Sequence, residues 1–316
     1  MIQNELIAAA AKVEIPGMQR RNTAPEIAGA PPKTRYLVLW RILTFALRAR
    51  WKRGILFWVR FAANPLLTFR WWRFLAEFTA ERDFPAPHDE LLQKPLSKFL
   101  VYGMRSSGRL ALLVDHFLIA EKILARESMM KLWHGGWLDM GIINGRSETY
   151  TCHIALADRC GGRHEGAFAI KLVRTRDKAL LCTVRFTFLR QGAQGSYTFA
   201  VGSMQGPRNG KRLTVEATRD LFGVRPKEAI LMVLQGLTVE GGTTDFFAIS
   251  QAKQPIRYRS VKRRSMLLSA VDTFWAERSA EPEETYGFIV PKSATGGTDV
   301  RSRSKASFHT IGELFH

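Results

Sequence analysis

Between Tyr197 and Ser250 the chain carries a strand, a glycine turn, helix-forming sequence and a second strand. Tyr197–Val201 (YTFAV) is a β-branched and aromatic run, stopped by Gly202-Ser203-Met204-Gln205-Gly206-Pro207. From Thr214 to Leu237 the apolar residues Leu221, Val224, Ile230, Val233, Leu234 and Leu237 follow the three- and four-residue spacing of one helix face. Pro226 is tolerated in a first helical turn, so a helix starting there leaves Thr214–Leu221 as a separate short helix and Gly223 as the turn. Phe246–Ser250 then reads as a buried strand.

Strand chemistry begins upstream of this block. Thr149–Ala155, Ala167–Val173 and Leu180–Leu189 (LLCTVRFTFL) alternate or run apolar, with glycines at 161, 162, 166, 192 and 195 marking turns, which predicts two antiparallel hairpins. Leu91–Trp133 reads as mainly helical, with an apolar stripe through Leu110, Leu113, Phe117 and Ile119 around His116. The expected fold class is therefore α+β, a helical N-terminal half followed by a largely antiparallel sheet. Four regions are expected along the chain. Residues 1–34 form a flexible leader, 35–145 a helical basic and aromatic region, 146–291 an α+β core, and 292–316 a disordered tail low in apolar residues. No Pro/Gly-rich linker divides the helices from the sheet, so one packed unit is expected.

Several ordered motifs resemble the VirK/YbjX proteins of Gram-negative bacteria. Val201–Gly206 is similar to that family's IGGLQG element, and Phe222–Leu231 (FGVRPKEAIL) to its HGLRPKxLLL segment. Ala248-Ile249-Ser250, Asp272–Glu277 (DTFWAE) and Gly287–Pro291 (GFIVP) resemble its AVS, YDxFWxE and GxFxLP elements, with His116 and His153–Gly166 in the expected order. Ser203 and Met204 stand where the family has Gly and Leu, and Phe222 where it has His. The resemblance spans roughly residues 90 to 292 and implies an envelope-linked accessory protein, not an established reaction.

Charge narrows the partner. Forty-seven Lys plus Arg against 28 Asp plus Glu leave +19, which favours an anionic partner. No acidic residue lies between Glu26 and Glu77, while Tyr36–Leu75 holds eight Arg or Lys and five of the eight Trp. Arginines and Lys52 interrupt every apolar run there before a membrane span could accumulate. No nucleic-acid module signature is present, and no specific nucleic acid is expected. An interfacial helix fits, with Trp40, Arg48, Trp51, Arg53, Trp58 and Trp71 as membrane-binding residues against anionic headgroups. Two core helices with arginines on the solvent side fit the same pattern. Asn64-Pro65 separates the helices in either case. The first residues lack a basic n-region and a secretory h-region, so the expected location is cytoplasmic, peripheral to the inner face of the inner membrane.

Antiparallel strands leading into strand–turn–helix–strand also resemble the core of the GNAT acyltransferases. That likeness implies a splayed central strand whose neighbouring helix N-terminus holds the pyrophosphate of acyl-CoA. Gln205, Gly206, Lys211, Arg225 and Lys227 are then the candidate binding residues for an acyl-CoA or acyl-carrier-protein thioester. His153 and Glu165, read as lying on neighbouring strands, are candidates for the base and its partner, or form a structural pair. Glu216, Tyr150 and Tyr197 can face a ligand or simply pack, His116 suits a core role, and Asp272 suits a capping one. Cys152, His153, Cys160 and His164 offer soft ligands, but Cys152 and His153 point to opposite faces of a strand, so no metal is expected. With Cys182 the cysteines number three, so they form no complete disulfide framework. Two functions follow: transfer of an acyl group from a thioester to an amine of an amphiphilic acceptor, or a non-catalytic peripheral membrane protein that binds anionic lipid or a protein partner.

Overall fold

The computed structural model describes Trp40, Thr44 and residues 51–94, 98–192, 195–207, 209–258, 271–293 and 297–315. Helices α1 (Trp51–Ala63), α2 (Pro65–Glu81), α3 (Asp89–Leu92), α4 (Ser106–Ile123) and α5 (Arg126–Trp133) precede the sheet. Strands β1 (Leu138–Asn144), β2 (Thr149–Leu156), β3 (Phe168–Arg174), β4 (Leu180–Gln191) and β5 (Ser196–Gln205) follow one another as antiparallel neighbours. Helices α6 (Lys211–Asp220) and α7 (Pro226–Leu237) then cross to β6 (Asp245–Ile249), which lies parallel to β5. A parallel neighbour needs such a crossover, whereas antiparallel strands join by tight turns. Helix α8 (Val271–Ala276), β7 (Glu281–Glu283), β8 (Gly287–Pro291) and α9 (Val300–Glu313) complete the chain, with strand order β1-β2-β3-β4-β5-β6-β8-β7. The fold is α+β: helices in the N-terminal half and a mostly antiparallel eight-stranded sheet.

Local sequence explains the main elements. Pro65 opens α2 directly after Asn64, and Pro226 opens α7 after the turn at Phe222-Gly223. Residues Ala229–Leu237 of α7 are all buried, because the helix is covered by strands β3 and β4 on one side and by α9 on the other. A helix that is apolar all round is stable only with both flanks covered. Where α7 and α9 cross, Gly236 and Gly312 face each other. A Cβ on Gly312 would collide with the Val233 carbonyl oxygen, so the two backbones meet through glycine alone. In the other half, His116 of α4 is fully buried and its Nδ1 accepts the Phe188 N–H at 2.9 Å. Burial, with Lys94 nearby, drives its pKa well below the ordinary range, so His116 is a neutral core histidine.

One hydrophobic core runs from Trp71 in α2 to Phe315 after α9, so helices and sheet form a single packed unit. Two expectations are corrected. The tail from Lys292, expected to be disordered, contains α9, whose Phe308 and Ile311 are buried against the core; its few apolar residues fall on one helix face. The sheet also begins earlier than residue 146, with β1 inside the region expected to be helical.

Gly312→Val is expected to push α9 off α7 and destabilise the protein by about 2 kcal/mol or more. A urea unfolding curve checks this, and an unchanged midpoint would mean that α9 is not needed for the core.

Candidate functional site

Strands β5 and β6 diverge, and the divergence makes a cleft. They pair only at Ala200↔Phe247 and Val201↔Ala248, while β5 continues to Gln205 and β6 ends at Ile249. A bulge sharpens the separation: Phe186 faces Val201 and Arg185 faces Ser203, so Gly202 is an extra residue in β5. Glycine is required there, since a Cβ would collide with the Glu165 carbonyl oxygen. The cleft is lined by Val201–Met204, by Ile249 at the end of β6, by Lys227 in the first turn of α7, and by Val271, Phe274 and Trp275 around α8. It holds about 270 Å³ counting the part open to solvent.

Cations gather at the α7 end of the cleft. The Lys227 ammonium sits 5.2 Å from the Phe274 ring centroid, and the Arg278 guanidinium 3.6 Å from it. Arg278 also donates to the Phe274 carbonyl at 2.8 Å, and burial lowers its pKa from the usual value. Arg225 is exposed and lies 4.0 Å from Glu277. Burial alone would raise the Glu228 carboxyl, but Lys305 at 2.7 Å and Arg301 at 3.0 Å from α9 hold it below the ordinary carboxylate range.

Behind the cleft lies a charged network. Arg185 of β4, almost wholly buried, donates from Nη2 to the Cys160 carbonyl at 2.8 Å and from Nη1 to Ser203 Oγ at 3.1 Å. Ser203 Oγ donates to Glu165 Oε2 at 2.6 Å, and that oxygen lies 3.1 Å from Arg185 Nη1. Ser203 therefore joins the cleft wall to a carboxylate and its counter-ion.

The structure does not bring His153 and Glu165 together. Glu165 lies in the turn before β3 rather than on a strand, and its partners are Ser203 and Arg185. His153 Nδ1 meets Asp139 Oδ1 of β1 at 2.5 Å, and its neighbour on β3 is Lys171. At about 4.8 Å per strand, β2 lies roughly 14 Å from β5, too far for His153 to act directly in the cleft. Of the residues read as thioester-binding, Lys227 lines the cleft. Gln205 and Gly206 are exposed where β5 overruns β6, Lys211 is exposed at the start of α6, and Arg225 precedes α7. Glu216 pairs with Arg212 on the α6 surface, and the Tyr150 hydroxyl donates to Asp220 Oδ2 at 2.8 Å. Asp272 anchors a loop by accepting the Gln251 N–H at 2.8 Å.

The residues read as membrane-binding divide. Trp71 is buried, and its indole donates to the Leu91 carbonyl at 2.8 Å, so it belongs to the core; a sequence cannot tell an interfacial indole from one whose partner lies twenty residues away. Trp58 and Trp40 are exposed. Arg48 and the side chains of Trp51 and Arg53 lie outside the described residues. Among the described residues no three His, Cys, Asp or Glu side chains are placed to hold a metal ion, and no helix is long and apolar enough to cross a membrane. Burial pushes the Cys152 and Cys182 thiols up to about 12.

Sequence reasoning missed Arg185, Phe274 and Trp275 as site residues. Arg185 had a signal: an arginine inside the apolar run LLCTVRFTFL must either reach water or find a buried partner.

A family model described as Protein of unknown function (DUF535) matches residues 47–301. The chain belongs to this family, which includes the VirK/YbjX proteins. No curated protein and no solved structure matches it.

The network makes an ordering of stabilities. Arg185 cannot reach water, whereas the Glu165 side chain is 29% exposed. Glu165→Gln, which strands a buried guanidinium charge, is expected to cost about 2 kcal/mol, and Arg185→Met less than half of that. Urea midpoints of both single variants and the double variant check this. An equal or larger loss for Arg185→Met would show that packing, not charge, dominates. Cys152 and Cys182 are expected to resist thiol reagents in the folded protein at pH 8 and to react on unfolding, as followed by absorbance of the released reagent.

Proposed function

We propose that this protein transfers an acyl group from a CoA or carrier-protein thioester to an amine of an amphiphilic acceptor, at the cytoplasmic face of the inner membrane. The observation that carries this is the early end of the β5–β6 pairing, which leaves the open edge of Gly202–Gln205 beside the first turn of α7. An extended pantetheine arm is a natural occupant of an open strand edge, since its amides pair with backbone groups as an added strand would. Its phosphate end would meet Lys227 and Arg225 at the start of a twelve-residue helix. The GNAT resemblance of the strand–turn–helix–strand block points to the same donor. Phe274 and Met204 line the cleft, so a bound arm would pack against both.

The expected chemistry is direct transfer. The acceptor amine attacks the thioester carbonyl carbon, a C–N bond forms as the C–S bond breaks, and sulfur leaves as the thiolate. The proton released by the amine passes through the Ser203 hydroxyl or a water to Glu165 and from there to the thiolate. Glu165, 2.6 Å from Ser203 Oγ, is the group best placed to take it. His153 is better suited to the Asp139 pair it forms than to this step.

Thermal unfolding with CoA, short and long acyl-CoAs and acylated carrier protein tests the proposal. A saturable rise in melting temperature with one thioester class is expected. Lys227→Ala should weaken that binding about tenfold through loss of a charge-assisted contact. A flat response across the panel defeats the proposal, and unaltered binding in Lys227→Ala defeats the placement of the ligand.

A further inference from the structure

Exposed apolar side chains are not spread evenly over the molecule. Beyond α2 the described residues have five exposed large hydrophobics, Tyr102, Val215, Val239, Val300 and Leu314, scattered over as many parts of the chain. On α1 and the first turns of α2, by contrast, Ile55, Trp58 and Val59 are 54%, 46% and 57% exposed, and Leu66 and Phe69 are 77% and 52% exposed. Ile55, Trp58 and Val59 share one helix face by their three- and four-residue spacing, as do Leu66 and Phe69. The stretch between them, Ala62–Pro65, is exposed as well, so the ridge is continuous. The opposite side of the same hairpin is core: Phe61 stacks on Trp72 at 5.3 Å, and Trp71 and Trp72 are buried. The hairpin is thus held in place by one face while it presents the other to solvent.

We infer that this α1–α2 ridge is a docking surface for an anionic lipid bilayer. Charge identifies the occupant. The sequence from residue 27 to residue 76 has no acidic residue, and exposed Arg70 sits one position after Phe69, while exposed Arg73 one turn further is paired with Glu77 at 2.8 Å. An apolar ridge flanked by arginines matches the boundary between acyl chains and phosphate headgroups, where Trp and Phe insert to shallow depth and each basic residue near the surface adds about 1 kcal/mol. A protein partner would need matching acidic and apolar groups, and the short hairpin offers it no groove. The surface requires no cofactor and is independent of the thioester chemistry proposed for the cleft.

Sedimentation of the full chain with vesicles tests the inference, using phosphatidylglycerol mixed into phosphatidylcholine and pure phosphatidylcholine as the control. Binding to the anionic vesicles is expected, weaker with rising salt and at least about tenfold weaker in a triple variant Ile55→Ser, Leu66→Ser, Phe69→Ser. These side chains are exposed, so the variant should keep the melting temperature of the native chain. Failure to bind anionic vesicles, or equal binding by the triple variant, overturns the inference. A dimer that the triple variant dissolves would assign the ridge to a second copy, and a large fall in melting temperature would assign it to another segment of the same chain. Either result also overturns it.

Discussion

The two-sided burial of α7 is the constraint from which most of this structure follows. Nine consecutive residues, Ala229–Leu237, are buried, so neither flank of the helix can face water. The sheet covers one flank through β3 and β4, and α9 must cover the other. Close approach at the Gly236–Gly312 crossing fixes the depth at which α9 sits. The same packing fixes where α7 begins, and its first turn is what brings Lys227 to the wall of the cleft. Core packing and site geometry are therefore a single problem in this fold.

The bulge at Gly202 joins the second half of the site to the sheet. An extra residue in β5 turns the strand away from β6 and brings its backbone against the Glu165 turn. That contact excludes any side chain at 202 and places the neighbouring Ser203 hydroxyl between Arg185 and Glu165. The family resemblance puts a second glycine at position 203. With glycine there, Arg185 and Glu165 could still pair, but nothing would connect the pair to the cleft wall. The serine thus adds a polar link that the shared motif does not supply.

Period-two and period-three-to-four patterns made much of the fold legible in sequence. LLCTVRFTFL reads as a strand, although burial of its polar side with Thr183, Arg185 and Thr187 shows only in the structure, and proline at 226 marks the start of α7. The tail was illegible because a helix with only Phe308 and Ile311 as large buried residues does not carry a recognisable stripe; its stability comes from a partner about seventy residues earlier in sequence. Trp71 was misread for a related reason. Its basic and aromatic neighbourhood suits a membrane interface, and only the Leu91 carbonyl decides that the indole turns inward. At the site, Lys227 was legible from its place beside a helix-starting proline. The partnership of Glu165 with Ser203 was not, because it depends on a turn and a bulge that leave no periodic trace.

Pairing among the charged residues leaves positive charge at the cleft wall. Arg225, Lys227, Arg278, Arg301 and Lys305 gather near the start of α7, with Glu228 and Glu277 among them. Glu228 is engaged by both Arg301 and Lys305, and Glu277 lies 4.0 Å from both Arg225 and Arg278. Among the described residues Lys227 has no carboxylate within 4.0 Å and rests its ammonium against the Phe274 ring. Two carboxylates thus neutralise part of a five-cation cluster, and the cation left over is the one that lines the cleft. A phosphate arriving there would displace no carboxylate from Lys227, and it would replace a weak ring contact with a charge-assisted hydrogen bond.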